Sequence, residues 1–141
     1  MRHAAFACRI CSAALTDFLR ELPACEAVSA GEPMVAAGHF VRVDRPWSYR
    51  DFVTGRRAEV RYLSADGEVV AFATGDFLLD AADVTHTLSP GARHGCCGPQ
   101  PRGEANAVCT NGHEIGTLHG DACWSPLVFR LLRDAVVEIV L

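Results

Sequence analysis

Cys109-Thr110-Asn111-Gly112-His113-Glu114-Ile115-Gly116-Thr117 sets a cysteine and a histidine at Cys-x-x-x-His spacing within one turn, then runs into strand-like sequence. Far upstream, Cys8-Arg9-Ile10-Cys11-Ser12-Ala13-Ala14-Leu15 carries a Cys-x-x-Cys pair. Two thiolates at that spacing chelate one ion, because the turn points both sulfurs inward and backbone N–H groups support them. The second knuckle is half complete: Gly112 stands where a partner thiolate is expected. A structural zinc takes four protein ligands, so a fourth must come from elsewhere. The candidates are the Gly95-Cys96-Cys97-Gly98 turn, His113 and Cys123. The metal set expected from the sequence is Cys8, Cys11, Cys97 and Cys109, with Zn2+ as a structural cofactor.

Between the knuckles the pattern is that of strands. Val35 to Val43 is apolar, with Phe40, Val41 and Val43. Glu59 to Leu63 alternates, Asp66-Gly67 turns, and Glu68 to Phe72 returns, which predicts a hairpin. Phe77-Leu78-Leu79 follows a Gly75-Asp76 pair, and residues 89–105, rich in Gly, Pro and Arg, predict a loop. Further strands are expected over Ala107 to Thr110, Ile115 to His119, Leu127 to Leu132 and Ala135 to Leu141. Leu15, Phe18, Leu19 and Leu22 keep helical spacing behind Ser12, which predicts one short helix ending before Pro23. The fold class expected is mostly β, in a single domain over residues 1–141.

Composition bounds the rest. The chain has 141 residues, half of them hydrophobic, with a net charge of −4, enough for one domain with a real core. No run reaches the roughly 18 apolar residues that a spanning helix needs. The apolar stretch before Arg9 is too short for a secretory signal, so the expected compartment is the cytoplasm. All 13 basic residues are arginine, and no basic stripe points to nucleic acid or an anionic membrane. Seven cysteines, an odd number, favour metal or thiol chemistry over a disulfide framework. Cys25 has no motif around it and reads as packing. His3, His39 and His86 read as surface or satisfied residues, as do the loop histidines His94 and His119. Asp76, Asp80 and Asp83 read as a solvated face.

The two knuckles, in this order and separation, resemble those of the β-tent proteins. These include the thalidomide-binding domain of cereblon, its small bacterial relatives and the methionine-R-sulfoxide reductases. Their second knuckle reads Cys-x-x-Cys-Gly-x-His-Leu-Gly, and residues 109–117 are similar to it with one residue and one cysteine missing. Gly120-Asp121-Ala122-Cys123-Trp124-Ser125-Pro126, with the Gly-Cys-Cys-Gly turn, is similar to a set of small bacterial proteins. The resemblance implies two antiparallel sheets meeting at a zinc that staples the chain ends together.

The departures narrow the function. A cereblon-type pocket is a cage of three tryptophans, whereas Thr117 occupies one of those places and Trp47 and Trp124 are the only tryptophans. Cys123 falls near the position of the reductase nucleophile, without that family's flanking signature. No His-Glu-x-x-His pair, phosphate loop or Gly-x-Ser-x-Gly elbow is present. The expected function is therefore a non-enzymatic zinc domain that binds a small molecule or a protein. The alternative is a thiol oxidoreductase or redox sensor using Cys123 or Cys96/Cys97.

Overall fold

A computed structural model describes residues 2–23, 35–43, 62–63, 69–70, 74–89, 94–95, 98–99, 105–121 and 125–141. Strand β1 (His3–Cys8) places Ala4, Phe6 and Cys8 in the core. It lies between β2 (Leu19–Leu22) and β13 (Val136–Val140), antiparallel to both. The β-branched run at the C-terminal end therefore pairs with the N-terminal strand, Cys8 facing Val136 and Ala4 facing Val140. The remaining strands of the sheet are β3 (His39–Arg42), β6 (Phe77–Leu79), β7 (Thr87–Leu88), β10 (Ala107–Val108), β11 (Glu114–Asp121) and β12 (Ser125–Leu131). Nine strands join in the order β13-β1-β2-β3-β6-β12-β11-β10-β7. Two short ladders stand apart: β4 (Tyr62–Leu63) with β5 (Val69–Val70), and β8 (His94–Gly95) with β9 (Gly98–Pro99).

The mostly-β expectation holds, and the expected strands fall on β3, β6 and β10 to β13. The expected 59–72 hairpin pairs Tyr62 with Val70 and Leu63 with Val69; its other residues lie outside the described set. Two expectations are corrected. The sheet is not divided into two antiparallel sheets: β6 bonds to β3 on one side and β12 on the other, joining the halves, and β2 and β3 run parallel. A parallel pair cannot close through a tight turn, and sixteen residues separate Leu22 from His39 in the chain.

The short helix is absent as well. Among the described residues the helical content is one 3-10 turn, Ala81–Asp83. Residues 13–16 bond across to β1 instead: Leu15 N–H and Thr16 N–H donate to Phe6 C=O, Cys8 N–H donates to Ala13 C=O, and Thr16 Oγ1 accepts from Phe6 N–H. Leu15 and Leu19 are buried but Phe18 is half exposed, so the apolar spacing does not form one face.

The sheet curls strongly. In a flat sheet β1 and β6, separated by β2 and β3, would sit about 14 Å apart at the usual strand spacing. Yet the rings of Phe6 and Phe77 meet at 4.5 Å, with Phe40 against both at 5.2 and 6.1 Å. Phe129, Leu79, Leu131, Ile115 and Val136 complete this core. The central strands are also buried on their other face, through Val41, Leu78 and Val128, which explains the consecutive apolar residues Phe40-Val41, Phe77-Leu78-Leu79 and Val128-Phe129. Arg130 interrupts the run in β12 and is buried among them. Its Nε donates to Thr117 Oγ1 at 3.1 Å, and its Nη1 lies 3.7 Å from Asp76 Oδ2.

Candidate metal centre

Curling brings together positions 98 to 105 residues apart in the chain. β1 is second from one end of the sheet and β10 second from the other. Cys8 ends β1 with Cys11 in the turn beyond it; Cys109 follows β10, and His113 stands just before β11.

Each pair sits in a turn built for it. In the first, Ser12 N–H donates to Cys8 C=O at 2.8 Å and Cys8 N–H to Ala13 C=O at 2.9 Å. Ser12 reverses the chain with φ of 62°, an unusual conformation for a residue with a Cβ. In the second, Gly112 N–H donates to Cys109 C=O at 2.9 Å and Cys109 N–H to His113 C=O at 2.8 Å. Gly112, at φ of 86°, makes the same kind of reversal where only glycine does so freely. The expected strand over Ala107 to Thr110 stops at Val108 because Cys109 already belongs to this turn. Asn111 N–H points at Cys109 Sγ from 3.4 Å, the backbone support that a ligating thiolate receives.

The Sγ atoms of Cys8, Cys11 and Cys109 and a ring nitrogen of His113 all lie within 4.8 Å of one another. Cys11 Sγ is 3.7 Å from Cys109 Sγ; His113 Nδ1 is 3.4 Å from Cys109 Sγ and 3.8 Å from Cys8 Sγ. These separations have a simple reading. A tetrahedral ion with bonds of about 2.3 Å to sulfur and 2.0–2.1 Å to nitrogen gives edges of about 3.8 Å between sulfurs and 3.6 Å between sulfur and nitrogen. These three edges are close to those values and the other three are within 4.8 Å, whereas a disulfide would need its sulfurs at about 2.05 Å. The three thiols are free, and a Cys3His set of this shape can hold one metal ion.

The electrostatics favour a cation. The Asn111 side chain and the Ala13 N–H draw the Cys11 thiol down to about 6, against the opposing effect of burial. Burial raises Cys109, but the N–H groups of His113 and Asn111 together outweigh it and the thiol is lowered. Cys8 is raised, chiefly by burial. The sulfurs of Cys11 and Cys109 raise His113. Negative charge thus gathers on buried sulfur with the imidazole beside it, an arrangement that a metal ion neutralises.

Of the expected set, Cys8, Cys11 and Cys109 converge; Cys97 lies outside the described residues, as do Cys25, Cys96, Cys123, Trp47 and Trp124. Among the described residues it is His113 that completes the group, the alternative its Cys-x-x-x-His spacing had offered. Asp76 corrects another expectation. It is buried rather than solvated, because its carboxylate accepts the Arg133 N–H at 3.0 Å and faces Arg130. Asp80 accepts locally from the Ala82 N–H, and Asp83 accepts from the Gly38 N–H, 45 residues away in the chain. Asn106 carried no sequence signal beyond standing before a strand. It is buried and clamps β11 by accepting from Leu118 N–H at 2.7 Å and donating to Leu118 C=O at 3.0 Å.

No protein-family model, no curated protein and no solved structure matches the chain. No helix among the described residues is long and apolar enough to cross a membrane.

Proposed function

We propose that Cys8, Cys11, Cys109 and His113 hold one structural Zn2+, as the knuckles of the β-tent proteins do, in a single-sheet domain that serves as a binding module for a small molecule or a protein. The observation that carries this reading is the four-donor cluster, its ligand atoms all within 4.8 Å of one another and three of its edges, at 3.4, 3.7 and 3.8 Å, near those of a tetrahedron around a zinc-sized ion. Three soft thiolates and an imidazole in that geometry suit zinc over the harder divalent ions. Four protein donors leave no open coordination position for water, so the metal organises the fold and does not activate a substrate. Its ligands join the end of β1 to the turn between β10 and β11, which makes it a staple across the curled sheet. Specificity belongs to the surface that the staple holds in place.

Native mass spectrometry of the reduced chain, with and without a strong chelator, tests the reading. The expected result is one zinc per chain, and a large fall in the thermal midpoint on its removal. A folded chain that purifies without metal, and takes up none when zinc is added, would overturn it.

A further inference from the structure

Resting on the metal reading above, the geometry points to Cys11 and Cys109 as a peroxide-sensitive pair that exchanges the metal staple for a covalent one. Of the three ligating thiols, Cys8 and Cys109 are each 1% exposed, whereas Cys11 is only half-buried. Its sulfur lies 3.7 Å from that of Cys109, across the two knuckles. Cys8, the other thiol of the first knuckle, lies 3.8 Å from His113 Nδ1 and also faces the sulfurs of Cys11 and Cys109, but it is buried.

The chemistry balances with hydrogen peroxide as the oxidant. The Cys11 thiolate attacks one peroxide oxygen; the O–O bond breaks, hydroxide leaves, and Cys11 becomes a sulfenic acid. The Cys109 thiolate then attacks Cys11 Sγ, the S–S bond forms, and a second hydroxide leaves. Two protons from solvent convert the hydroxides to water, so two thiolates have lost two electrons and peroxide has gained them. The metal, left with Cys8 and His113 alone, departs. The new bond links positions 98 residues apart in the chain. It therefore joins the same two knuckles that the metal joined, and a cross-link over so long a loop restricts the unfolded chain strongly. A bond between Cys8 and Cys11 would close only the first turn and leave the knuckles unconnected.

The test treats the full, zinc-loaded chain with stoichiometric hydrogen peroxide. Zinc release is followed with a chromogenic chelator, and non-reducing peptide mapping locates the bond. The expected result is one equivalent of zinc released, the Cys11 peptide joined to the Cys109 peptide, and a thermal midpoint that chelator lowers in the reduced chain but not in the oxidised one. Thiol reductant with added zinc restores the starting mass and metal content. Zinc retained while Cys25, Cys96, Cys97 or Cys123 oxidises would overturn the switch alone, as would a Cys8–Cys11 bond, or sulfinic acid at Cys11 with loss of the fold. A chain without zinc before peroxide is added would instead overturn the metal reading, and the switch with it.

Discussion

Cys11 shows how much one turn does to one sulfur. Its thiol is lowered to about 6 from an ordinary 9.0, with the Asn111 side chain as the largest cause. Asn111 belongs to the other knuckle, so this effect exists only when both turns are in place. In the metal-free domain, alkylation of Cys11 by iodoacetamide, followed by peptide mapping, should rise with pH through a midpoint near 6. Asn111→Ala should move that midpoint upward; an unchanged midpoint would show that Asn111 does not act on the sulfur. The sign for stability runs the same way. A group lowered on folding stabilises the native state above its ordinary value and loses that contribution as pH falls through about 6. At this scale the sequence was legible where spacing alone constrains chemistry, as at Cys8, Cys11 and Cys109. His113 was legible only as one of several donors, because which ring nitrogen meets a metal depends on the turn and not on spacing. Asp76 was misread because its partners, Arg130 and the Arg133 N–H, come from a strand and turn far along the chain.

At the scale of elements, β11 depends on Gly116 for a reason that spacing does not reveal. A Cβ at Gly116 would strike the Arg130 carbonyl and the Phe129 ring of the neighbouring β12. Gly116→Ala should therefore cost about 3 kcal/mol, at the upper end for overpacking a core, measured as a lowered denaturation midpoint at unchanged slope. A variant as stable as the parent would mean that β11 and β12 part easily at this point. Strands with strong β-branched or apolar runs, β12 and β13 among them, were readable from sequence because their burial enforces that pattern. The segment after Cys11 was not. Its apolar residues satisfy helical spacing, but its backbone groups are claimed by Phe6 and Cys8 of β1, so tertiary hydrogen bonding overrides local propensity.

For the whole molecule, the nine-stranded sheet has its second strand from one end and its second strand from the other meeting at a single cluster. Sequence could place the two knuckles; it could not show one continuous sheet, since the β3–β6 and β6–β12 pairings that unite it carry no local signal. If one metal joins the two ends, Cys8→Ser and Cys109→Ser remove the same interaction. With zinc a thousandfold above its dissociation constant, each should cost about 4 kcal/mol or more, and the double variant little beyond either single one. Full additivity would mean that the two thiols act separately. The central claim is the identity of the four donors, and zinc X-ray absorption on the loaded, reduced chain measures it most directly. The account predicts three sulfurs at about 2.3 Å and one nitrogen at 2.0–2.1 Å. A shell of four sulfurs, or one containing a water oxygen, would contradict it.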